Sequence, residues 1–125
     1  MNADFQPIFE ELKALMARQS KQLVVKADSP VEYTLVTRKP SQFPQHKGQP
    51  MWFGSIRLGK AYVSYHLMPL YMNDSLKKTI SPALAKRMQG KTCFNFKTAP
   101  EPAIAKELQS LTALCYLEWK EKDWA

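Results

Sequence analysis

Residues 51–72 read MWFGSIRLGKAYVSYHLMPLYM. Leu58-Gly59-Lys60 punctuates two extended runs, which predicts a β-hairpin. In the second run Ala61, Val63, Tyr65 and Leu67 share one face, which is apolar enough for a core. Tyr62, Ser64, His66 and Met68 share the other, a mixed aromatic and polar face that either supports more structure or lines a groove. Pro69 cannot donate to a ladder, so the strand is expected to end there.

Upstream, residues 4–20 read as a helix. Asp4 is placed to cap it, and Phe5, Ile8, Phe9, Leu12, Leu15 and Met16 recur at helical spacing. The period then changes. KQLVVKADSPVEYTLVTR (residues 21–38) predicts two short strands around Ala27-Asp28-Ser29-Pro30. In the second of these, Val31, Tyr33 and Leu35 are expected on one face, with Glu32 and Thr34 on the other. KPSQFPQHKGQP (residues 39–50), with its prolines and glycine, predicts a loop.

Downstream, residues 73–80 suggest a short helix or turn. Ser81-Pro82 is a helix start, cap followed by proline at the first helical position. The helix PALAKRMQ is expected to stop at Gly90, and TCFNF (residues 92–96) to form another strand. A final helix is expected over residues 102–122, with Ile104, Leu108, Leu111, Leu114, Cys115 and Leu117 at helical spacing. The order predicts one α+β domain over residues 1–125: an antiparallel sheet of about five strands with the N- and C-terminal helices on one face.

Composition narrows the functional classes. The 125 residues are 45% apolar and 23% charged, which suits a soluble globular domain. No apolar run approaches the roughly 20 residues of a membrane helix, so no membrane association is expected. MNADFQPIFEEL has neither a basic n-region nor an apolar h-region, which predicts a cytoplasmic protein. Two cysteines, Cys93 and Cys115, are expected as buried free thiols. Net charge is +7. Residues 38–97 hold eleven Lys and Arg against one acid, Asp74, a local balance of +10 that leaves −3 for the rest. If those cations share one surface, they attract phosphates, nucleic acid or acidic protein.

Catalytic and metal signals are weak. Cys93 near His66 would need a lowered thiol pKa to act as a nucleophile, and its place beside Phe94 argues for the core instead. His46, His66, Cys93 and Cys115 have no zinc-site spacing, and no glycine-rich phosphate loop occurs. The helix start at Ser81 offers free N–H groups to an anion, with Lys86, Arg87 and Lys91 close in sequence. Trp52, Tyr62 and His66, with Arg57 and Lys60 nearby, could stack the bases of a single-stranded nucleic acid, although no RNP-like motif occurs.

GKAYVSYHLMPLYM, SPALAKRMQGKTCFNF and EPAIAKELQSL, in that order, resemble the YdhG-like family, a bacterial domain of unknown function. The resemblance spans residues 52–111 and implies a compact cytoplasmic α+β domain. Some members are described as frataxin-like iron chaperones, so it also implies iron binding through acidic surface residues. This chain departs from that pattern in being basic, with its acids mostly terminal.

The expectation is therefore a non-enzymatic binding or accessory domain with a basic, aromatic surface and no resident cofactor. Its binding residues are Arg57, Lys60, Tyr62, His66, Tyr71, Ser81, Lys86, Arg87 and Lys91, and its partner a small anionic ligand or a protein. The alternatives are an iron chaperone, by resemblance alone, and a single-stranded nucleic-acid binder. The tail YLEWKEKDWA is expected either to make a homodimer contact through Trp119 and Trp124 or to fold back on the core.

Overall fold

The computed structural model describes residues 5–90 and 93–125, so the expected cap at Asp4 and the position of Lys91 lie outside the described residues. The chain is α+β. Six antiparallel strands form one sheet in the order β1-β2-β3-β4-β6-β5. They are β1 (Val24–Asp28), β2 (Glu32–Pro40), β3 (Pro50–Leu58), β4 (Val63–Leu67), β5 (Met88–Gln89) and β6 (Cys93–Phe96). The helices are α1 (Gln6–Ala17), the single turns α2 (Pro69–Met72), α3 (Asp74–Lys77) and α4 (Pro82–Ala85), and α5 (Pro102–Glu121).

The expected hairpin is β3-β4, with Leu58 opposite Val63. Alternation along each strand sorts the two faces. Tyr33, Ile56, Tyr65 and Phe94 line up across four strands on the core side. Against them pack Ile8, Phe9, Leu12 and Met16 of α1 and Ile104, Leu108, Leu111 and Cys115 of α5, all buried. Tyr65 Oη lies 2.6 Å from Thr112 Oγ1, which ties α5 to the central strand.

β3 carries a bulge. Leu35 is opposite Gly54 while Val36 is opposite Trp52, so Phe53 is the extra residue and turns to the core beside Gly54. Its ring meets Trp119 edge-on at 5.7 Å. Gly54 sits where α1 presses on the sheet. A Cβ there would lie 2.7 Å from both the His66 carbonyl oxygen and Met16 Cε. The backbone oxygen cannot give way, which is why this mid-strand position carries no side chain.

The fold class is as expected, and four details differ. The strands number six, because the helix begun at Ser81 stops at Ala85 and Met88-Gln89 pairs with β6 instead. Gly90, with φ +77°, therefore follows a strand rather than ending a helix. Val31 is 54% exposed and Ala61 is exposed, so neither belongs to the core. Leu114 and Leu117 are likewise exposed on the outer side of α5.

The tail folds back. Trp124 N–H donates to Trp119 O at 2.8 Å and Asp123 N–H to Lys120 O at 3.0 Å, with Asp123 at φ +62°. This is a Schellman ending, closed by ring contact between Trp119 and Trp124 at 6.1 Å. Trp119 is 1% exposed and belongs to the core of its own chain.

Gly54→Ala is expected to lower stability by about 1–3 kcal/mol through overpacking, read as a fall in the urea midpoint at unchanged slope.

Candidate functional site

Both terminal helices lie on one side, so the opposite face of the sheet is uncovered by them. Its composition follows from strand alternation. Thr34, Ser55, His66 and Cys93 sit side by side across β2, β3, β4 and β6, and Glu32, Arg57, Ser64 and Asn95 form the next row. Almost every position here is polar, whereas the rows between them are apolar and face the core. Trp52 stands beside the first row, its ring 5.7 Å from that of His66.

Local bonds organise the face. Thr34 Oγ1 donates to Glu32 Oε2 at 2.6 Å, and Arg57 Nη2 lies 3.9 Å from the same oxygen. Cys93 Sγ donates to Asn95 Oδ1 at 3.2 Å. Ser55 Oγ is buried with no hydrogen-bond partner among the described residues. It is directly opposite His66 on the neighbouring strand.

Burial sets the protonation states. His66 is held below its usual value, first by loss of solvent and then by the Arg57 guanidinium. Burial pushes the Cys93 thiol up, opposed by a hydrogen bond from the Tyr65 backbone. At neutral pH the pair is therefore a neutral imidazole beside a protonated thiol. Although the two are direct cross-strand neighbours, the shift of Cys93 runs opposite to what a nucleophile needs.

At one end of this face lies a cleft of about 450 Å³ lined by Tyr62, Lys86, Arg87, Gln89, Asn95 and Lys97, together with Ala61 and Met88. Among the described residues, no carboxylate lines it. Asn95 and Lys97 reach it because they alternate with the buried Phe94 and Phe96. Lys86 and Arg87 reach it because α4 ends early: the Arg87 carbonyl accepts from Asn95 N–H at 2.8 Å, which holds that segment against the sheet edge. The Arg87 guanidinium lies 4.8 Å from the centre of the Phe96 ring.

Tyr62, Lys86 and Arg87 thus come together, with Lys60 exposed in the adjoining hairpin turn and Arg57 and His66 further along the same face. Ser81 does not join them. Its N–H and hydroxyl donate to the two carboxylate oxygens of Glu107 at 2.7 and 2.6 Å, so the expected anion site is already filled by the chain's own anion. Tyr71 lies apart, beside Phe43, Met51, Trp52, Met68 and Met72, around an apolar hollow of about 240 Å³. The +10 segment is also not a single patch. Lys39 pairs with Asp123, Lys77 with Asp74 at 3.2 Å, and Arg38 donates to the Lys21 carbonyl.

The sequence reading missed Gln89, Asn95 and Lys97 as members of the cleft. The signal was present for two of them, since Phe94-Asn95-Phe96-Lys97 alternates with period two.

Among the described residues, no three His, Cys, Asp or Glu side chains gather closely enough to hold a metal ion. No helix among them is long and apolar enough to cross a membrane. No family model, curated protein or solved structure matches the chain.

Two measurements follow. Because folding depresses the pKa of His66, the unfolded chain binds the extra proton more readily; stability should fall as pH drops below about 6.5. His66→Gln should flatten that part of the pH profile of the urea midpoint. Cys93 should react with a thiol reagent at pH 7 far more slowly than a free cysteine does, until the chain is unfolded.

Proposed function

We propose that this chain is a non-enzymatic binding or accessory domain that takes an anionic ligand on the open face of its sheet. The observation that carries the reading is the cleft of Tyr62, Lys86, Arg87 and Lys97, whose lining among the described residues contains no carboxylate. Three cations held around one concavity raise the local potential, and the amides of Gln89 and Asn95 add neutral hydrogen bonds that orient a ligand. Binding without chemistry agrees with the protonated Cys93 and neutral His66. Two free buried cysteines fit a reducing compartment, and on that ground we take the protein to be cytoplasmic. The reading also agrees with the resemblance of the Ser81–Phe96 motif to the YdhG-like family, in which the motif would specify this edge of the sheet.

Calorimetric titration with inorganic pyrophosphate tests it. Arg87→Ala and Lys97→Ala are each expected to weaken binding about tenfold, the size of one charge-assisted hydrogen bond. Lys106→Ala, on the exposed side of α5, should leave affinity unchanged. Equal loss from all three would mean that net charge alone attracts the anion.

A further inference from the structure

The cleft occupies only one end of the open face, and a small anion would leave the other end unused. Tyr62 immediately precedes β4 and His66 lies within it, four residues on, a separation of about 13 Å along extended chain. Trp52 stands beside His66, with the rings 5.7 Å apart. Between the two aromatic positions Arg57 projects from the neighbouring strand, opposite Ser64. On the other side of β4 from Arg57, across β6, lie Arg87 and Lys97 at the cleft. The face therefore carries its rings along β4 with cations on both flanks.

That order fits a linear polyanion in which each unit carries a flat ring. Stacking on aromatic side chains, with cations tracking the backbone, is how single strands are held without reading every base. The apolar hollow beyond Trp52, bordered by Phe43, Met68 and Tyr71, offers room for a base turned out of the strand. A duplex fits poorly. The two long helices lie behind the sheet, and the single-turn helices pack on α5, so among the described residues neither long helix is placed to enter a groove from this face.

Resting on the anionic-ligand reading above, we infer that the open face binds a single strand of nucleic acid. Its bases stack on Trp52 with His66 and on Tyr62, and its phosphates meet Arg57, Arg87 and Lys97. The amides of Asn95 and Gln89 face the same path and can bond base edges.

The test is fluorescence anisotropy of the full chain with labelled oligo-dT and oligo-rU of about ten nucleotides. A blunt duplex and inorganic polyphosphate of similar total charge serve as competitors. Either single strand should bind more tightly than the duplex or polyphosphate, and the arm that binds better identifies DNA or RNA. Its log affinity should fall with log salt at a slope of about −2, as expected for three phosphate contacts. Tyr62→Ala and Trp52→Leu should each weaken strand binding about tenfold and leave polyphosphate binding unchanged. Tyr62 is partly exposed, so its variant keeps the test decisive if Trp52→Leu fails to fold.

If polyphosphate or duplex competes as well as a free strand, and the aromatic variants change nothing, the nucleic-acid inference is wrong while the anion-binding reading stands. If neither strand nor polyphosphate binds, both fall.

Discussion

A single buried hydrogen bond fixes which side of the sheet is available for function. Thr112 Oγ1 donates to the Leu108 carbonyl at 2.7 Å, so its one proton is committed. Tyr65 must therefore be the donor in the 2.6 Å contact between the two hydroxyls. Both groups are buried, and each satisfies a need the other could not meet from solvent. The bond holds α5 over the middle of β4. Because successive side chains on a strand point to opposite faces, locking Tyr65 inward turns Ser64 and His66 outward. The polarity of the open face follows from this choice, and Gly54 extends it by letting α1 settle on the same side.

Elements with strong local signals were legible in the sequence. The β3-β4 hairpin, both long helices and the cap at Ser81 follow from alternation, helical spacing and cap chemistry, and the structure has each of them. β5 was hidden for a physical reason. Ala-Leu-Ala-Lys-Arg-Met-Gln has good helix propensity throughout, and only pairing with β6 pulls Met88 and Gln89 out of the helix. Propensity is a weak prior beside ladder bonds that no local pattern reports. The same limit explains Val31 and Leu117, which fit an apolar period yet end outside the core.

The site divides along the same line. His66 and Cys93 could be placed on neighbouring strands from sequence, and they are opposite one another. Ser81 was misleading because its partner, Glu107, lies 26 residues away on another helix. Asn95 and Lys97 were overshadowed by the phenylalanines between them. A strand with one buried face always carries a second set of residues, and here that set contributes to the cleft.

The placement of acids makes the cleft more than a by-product of a basic composition. Lys39, Lys77 and Lys122 each have a carboxylate within salt-bridge reach, and Arg57 has Glu32 at its margin. Glu107, on the helix that packs against α4, is turned inward and bound to Ser81 rather than offered to Lys86 or Arg87. Among the described residues, no carboxylate forms a salt bridge with Lys86, Arg87 or Lys97. Grouped like charges repel, and a surface shaped only by stability would intersperse the two signs. What sets these three cations apart is that they share one concavity, bordered by amides and an exposed tyrosine. An unneutralised cluster in a hollow stores repulsion that an anion relieves on arrival, so the arrangement makes sense as one half of a complementary pair.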